Sequence, residues 1–141
     1  MAEYSDIGKT KAAGYEIGLR KTFPVDSVAV WALLMSDDAV ALWLGRASDL
    51  TIEKGKTYRL ENGATGEFRV VKPGSHVRLT YKSADAEAAS TIQLRVIAKE
   101  NGKTTVSFHQ EKLDSAEARA HAAEHWSRVM KQLENLLTAH A

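Results

Sequence analysis

The sequence has no cysteine. Disulfides and thiolate metal sites are therefore excluded, and a reducing compartment is compatible with the chain. Net charge is nearly absent too, at +1. Nothing in that balance points to nucleic acid or an acidic membrane surface as a partner. No apolar run approaches the roughly 20 residues that span a bilayer. The opening stretch MAEYSDIGKTKAAGY carries no apolar segment of the secretory kind. Together these absences lead to the expectation of a cytoplasmic protein. Proline is scarce, and Pro73 is the second and last, so no proline interrupts the chain after residue 73.

What is present is ordinary for a globular protein: 44% hydrophobic and 26% charged residues over 141 positions. That length suits one domain with a core of its own. Residues 1–14 are polar and without period, and read as a flexible arm; 15–141 read as the single domain. YEIGLRKTF (15–23) alternates as a strand, and Pro24 closes it. DSVAVWALLMS (26–36) has helical period, with Val28, Trp31 and Leu34/Met35 on one face. Ser36 followed by Asp37 and Asp38 opens a second short helix.

The period then changes from 3.6 to 2. Tyr58 and Leu60, Phe68 and Val70, Val77, Leu79 and Tyr81, Ile92, Leu94 and Val96, and Val106 and Phe108 take one parity. NG, PG and ENG mark the turns between them. Arg69, Arg78, Thr80, Gln93, Arg95, Thr105, Ser107 and His109 take the other. Such a sheet has one side in water and one side covered.

The cover is the C-terminal helix. Asp114 reads as its N-cap, with Glu117 three residues on. Neither Pro nor Gly breaks the next ~25 residues, so it can reach about 38 Å. Around Trp126, the residues Ala122, Val129, Met130, Leu133 and Leu137 fall within about 60° and form one apolar stripe.

HAAEH (121–125) on this helix has the H-x-x-E-H form that gives one class of zinc peptidases two ligands and a glutamate. On the wheel His125 flanks the stripe, His121 lies farther round, and Glu124 points away from the core. A catalytic site needs a third ligand and a cleft, and Glu134 is about 15 Å farther along the helix. We therefore read the motif as a solvated helix flank and expect no metal and no cofactor.

Three polar residues fall on the covered side: Arg119, about 20° from Trp126, Gln110 on the last strand and Lys21 on the first. Three readings are open: element ends in water, Arg119 and Gln110 as anchors for a ligand's polar end, or an internal pair such as Arg119 with Glu111.

The order strand, two short helices, antiparallel meander and long helix resembles the START-like (SRPBCC) superfamily. Within it, the chain is most similar to bacterial relatives of the activator of the heat-shock protein 90 ATPase. VWALLMSDDAVALWLG (30–45), ENGATGEFRVVKPGSHVRLTY (61–81), KTTVSFHQEKL (103–113) and HWSRVMKQLENLL (125–137) carry the likeness. It implies an α+β helix-grip fold: a curved antiparallel sheet of six or seven strands wrapped on the C-terminal helix, with a cavity between them. The eukaryotic co-chaperone has an additional N-terminal domain for which these residues leave no room. The iron ligands of the dioxygenase relatives are also missing.

The superfamily does not fix a function. The leading expectation is a binding module for a small, mostly apolar ligand, as a monomer or homodimer. Its contacts would be Trp31, Trp43, Tyr58, Phe68, Tyr81, Phe108 and Trp126, the aliphatic Leu79, Leu94, Ala122 and Met130, and the polar Gln110 and Arg119. The alternatives are a co-chaperone-like module that binds a protein partner, and a cyclase or hydrolase using Arg119, Gln110 or His125.

Overall fold

The computed structural model describes residues 9–10 and 14–139. The arm expected over 1–14 falls mostly outside them. Within it, Lys9–Thr10 forms a two-residue strand, β1, paired with the start of β2. The order continues β2 Gly14–Phe23, α1 Ser27–Leu34, α2 Asp37–Trp43, β3 Thr57–Arg59, β4 Thr65–Lys72, β5 His76–Tyr81, β6 Ser90–Ala98, β7 Thr104–Leu113 and α3 Ala116–Ala139. The strands make one antiparallel sheet in the order β1-β2-β7-β6-β5-β4-β3. The curved sheet closes on α3, as a helix-grip fold requires. No helix is long and apolar enough to cross a membrane among the described residues.

The two short helices start where their caps dictate. Asp26 accepts a hydrogen bond from the Ala29 amide at 3.1 Å, and Ser36 accepts one from Ala39 at 3.3 Å. Trp43 then ties α2 back to α1, its indole N–H donating to the Leu34 carbonyl at 2.9 Å. The face of α1 differs from the expected one. Val30 and Leu34 are buried, whereas Val28 is 79% exposed and Trp31 half-buried. SVAVWALL is apolar nearly all round, so its period does not select a face; packing against β6 does.

Two bulges shift the parity of the sheet. Phe68 pairs with Leu79 and Val70 with Arg78, so β4 carries one extra residue, Arg69. Val70 therefore turns outward and Val71 inward, against the simple alternation of Phe68 and Val70. Between β2 and β7, Ile17 pairs with Gln110 but Tyr15 with Leu113. The extra residue is on β7, where Lys112 adopts a left-handed φ of 63°. Unbulged alternation would send Leu113 outward after the inward Gln110; the bulge returns it to the core. Gly14 lies opposite, and a Cβ there would stand 2.6 Å from the Leu113 carbonyl oxygen.

The helix stripe is as the sequence indicates: Ala122, Trp126, Val129, Met130, Leu133 and Leu137 are buried against the sheet. Its cap lies one residue later than expected. Ser115, not Asp114, accepts the Ala118 amide at 3.0 Å, so the pairing of Asp114 with Glu117 does not form the start of α3. Trp126 stacks on Phe108 with ring centroids 4.5 Å apart.

Trp126→Ala is expected to cost about 3–5 kcal/mol in urea unfolding, from lost burial and the remaining cavity. Trp126→Phe should retain most of the stack and cost about 1–3 kcal/mol, because Gln110 loses its donor. Lys112→Gly should be neutral or stabilise by up to about 1 kcal/mol, since glycine adopts this φ without a Cβ clash. Lys112→Val, whose branched side chain resists that φ, should destabilise.

Candidate functional site

A recess of about 370 Å³ opens where α3, the end of α2 and the sheet meet. Its walls are Trp43 and Leu44 from the end of α2, Tyr81, Ile92, Gln110 and Leu113 from the sheet, and Ala118, Ala122 and Trp126 from α3. Ser83, His121 and His125 also border it. Five expected contacts meet here: Trp43, Tyr81, Gln110, Ala122 and Trp126. The rest do not. Tyr58, Phe68, Leu79, Leu94, Phe108 and Met130 are buried in the packed core, because the helix stands directly on the sheet at that level. Trp31 lines a separate surface groove of about 590 Å³ between the short helices and the Pro73 turn.

Gln110 is the polar centre of the recess wall. It is 7% exposed. Its carbonyl accepts the Trp126 indole N–H at 3.0 Å, and its amide nitrogen donates to the Ser90 hydroxyl at 2.8 Å. Ser90 in turn donates to the Tyr81 carbonyl at 3.1 Å. The series links α3 to β7, β6 and β5 through buried groups that are each satisfied.

Arg119 does not reach this site. Its Nε donates to the Glu16 backbone carbonyl at 2.8 Å, fastening α3 to β2 beside the bulge. Glu111 points to the outer face, where it pairs with Arg78 at 3.1 Å, so the Arg119–Glu111 pair does not form. Lys21 pairs with Glu134 of α3 at the solvent boundary. Of the three polar residues placed on the covered side, Gln110 alone borders the recess.

The two histidines of HAAEH diverge in role. His121 is 76% exposed and 4.0 Å from Glu117. His125 turns inward: Nε2 is 3.3 Å from the Trp43 carbonyl, and the ring meets Trp126 edge-on at 4.6 Å. An Nε2–H tautomer would donate to that carbonyl. Burial lowers its pKa, opposed by the Trp43 carbonyl and assisted by Arg128. Among the described residues, no three His, Asp or Glu side chains are placed to hold a metal ion.

Sequence reasoning named His125 only for the enzyme alternative, and missed Leu44, Ser83, Ile92, Leu113, Ala118 and His121 as recess residues. Ile92 had the right parity and Ala118 lies one turn before Ala122, so both carried a usable signal. Leu113 depended on the bulge and carried none.

With this geometry in place, the chain can be set beside known proteins. Residues 24–138 match the family described as Activator of Hsp90 ATPase homolog 1-like protein. The chain belongs to that family. Among curated proteins none matches. Several solved structures share the fold. Protein CV1439 from Chromobacterium violaceum is 20% identical with a TM-score of 0.72, over 86% of this chain and 95% of its own. An HSP90 activator from Plasmodium falciparum is 13% identical with a TM-score of 0.72, over 89% and 97%. The Aha1 dimer from Colwellia psychrerythraea is 18% identical with a TM-score of 0.69, over 85% and 93%. At these identities the likeness shows the fold.

Because the folded state holds the His125 pKa below its ordinary 6.5, the unfolded chain takes up the proton first as pH falls. The stability tied to neutral His125 is complete above about pH 6.5 and is lost as pH drops through that value toward the lowered folded pKa. Urea unfolding at a series of pH values should show a steeper acid-side loss for wild type than for His125→Gln. Parallel curves would mean that His125 ionises as freely folded as unfolded. Arg119→Met should cost about 1–2 kcal/mol by freeing the Glu16 carbonyl, and should leave binding at the recess unaltered.

Proposed function

We propose that the chain binds a small, mostly apolar ligand in the recess bordered by Trp43, Leu113, Ala118 and Trp126, and that it does so in the cytoplasm as a single domain. The observation that carries this reading is a hollow whose inner polar wall groups, Gln110 and His125, already have partners. Gln110 is joined to Trp126 and Ser90, and His125 lies against the Trp43 carbonyl. What else faces the hollow is indole, phenol ring, leucine, isoleucine and alanine, with Ser83 and His121 also on its border. An occupant would gain by removing that surface from water, at roughly 25 cal/mol per Å² of apolar area. The volume stands near the small end of the ~300–1,000 Å³ usual for ligand sites.

A second reading is a module that acts on a protein partner such as a chaperone. The family description supports it, as does the description of the Plasmodium falciparum neighbour as an HSP90 activator. The Colwellia psychrerythraea neighbour, a dimer, supports a homodimer for either reading.

Titration with 1-anilinonaphthalene-8-sulfonate separates the two. For the ligand reading, its fluorescence should rise saturably at one site per chain. Ala118→Phe, which places a ring in the recess from a half-buried position, should weaken binding by at least about tenfold, or ~1.4 kcal/mol. Unchanged binding in Ala118→Phe would show that the probe lies elsewhere and would sink the ligand reading.

A further inference from the structure

The sheet register draws five outward side chains into one row across the face opposite α3. Arg20 of β2 is paired with Ser107 of β7, and Ser107 with Arg95 of β6. Arg95 is paired with His76 of β5, and His76 with Lys72 of β4. Arg20, Arg95 and Lys72 are exposed; His76 and Ser107 are half-buried. Four interstrand gaps of about 4.8 Å make the row roughly 19 Å long. It contains three fixed positive charges, a histidine and no acid.

Farther along the strands, three basic groups on this face have acidic neighbours. Arg78 pairs with Glu111 at 3.1 Å, Arg69 with Glu67 at 3.3 Å, and His109 lies 3.6 Å from Glu16. Those acids stand four or five residues along their strands from the row, about 13 Å or more away. None of Arg20, Lys72 and Arg95 forms an ion pair with any other described residue. The His76 pKa is lowered, first by burial and then by Arg95 and Lys72. A chain whose charges nearly cancel overall thus concentrates one sign in a single line.

We propose that this row docks an acidic segment of a partner protein, with carboxylates set against Arg20, Arg95 and Lys72. The number of charges selects that partner class. Nucleic-acid binding draws on about six to ten phosphate contacts. The row also lacks an aromatic platform on which bases could stack. Basic membrane-binding clusters hold about four to eight Lys or Arg beside an anchor, whereas among the described residues Val70 is the one large apolar side chain exposed on this face. Three cations across roughly 19 Å instead match three or four carboxylates on an extended chain at ~3.3 Å per residue. The site is independent of the recess, which lies on the other side of the sheet.

The test is fluorescence anisotropy of a labelled peptide of about eight glutamates at low ionic strength, using the full chain. Saturable binding is expected, weakening with salt. R20Q/R95Q should bind about tenfold more weakly, and each single variant about threefold. K54Q/K56Q removes equal charge from exposed positions off the row and should change binding by less than about twofold. The peptide should also raise the His76 pKa read by NMR in wild type. Equal losses in both double variants would show attraction by net charge and overturn the proposal. So would tighter binding of phosphatidylserine vesicles or a DNA duplex than of the peptide, or an unmoved His76. Circular dichroism of each variant reports folding, and the single variants decide the outcome if a double variant fails to fold.

Discussion

The position of Trp126 sets the geometry on which the remaining structure depends. Its indole is large enough to need burial and carries one N–H that burial must not strand. Phe108 takes the ring face, and Gln110, two residues farther along the same strand, takes the N–H. Both come from the inward parity of β7, so one strand fixes the depth and the rotation of α3. Gln110 passes the constraint to Ser90, and Ser90 to the Tyr81 carbonyl. Turning the helix by one residue would leave the Gln110 carbonyl buried without its donor. The apolar stripe alone would tolerate such a turn better, because hydrophobic attraction is non-directional.

The bulges shape what surrounds that contact. Lys112 in β7 returns Leu113 to the interior, where it walls the recess, and Gly14 makes room opposite. Arg69 in β4 turns Val71 inward. Extra residues bend and twist a sheet locally, which allows this one to curve about a single helix. Arg119 binds the Glu16 carbonyl beside the first bulge, so a cation on the helix stripe is used to hold a strand end.

The two sides of the sheet have separate chemistry. The inner side commits its polar groups to one another and leaves a small apolar hollow beside His125. The outer side pairs its acids at one end and leaves a basic row at the other. Family membership locates neither feature. The same architecture supports different activities, and these depend on the side chains placed in it.

Much of the fold was legible because it rests on period. The alternating strands, the NG, PG and ENG turns, the Ser36 cap and the Trp126 stripe are local patterns, and local patterns survive in the sequence. The face of α1 was not legible, since a helix apolar all round has no preferred side until β6 is present. Nor was the parity after a bulge, because one inserted residue reverses the alternation without changing the composition. Arg119 illustrates the same limit. Its position on the stripe could be read from the wheel, but its partner is a backbone carbonyl, and every residue has one. Sequence by itself determined the main elements and the covered face, and placed Trp126 and Gln110 on that face. Tertiary structure alone decided which inward residues pack solidly and which border a hollow. That depends on where the helix stands off the sheet, a distance set by contacts between segments far apart in the chain.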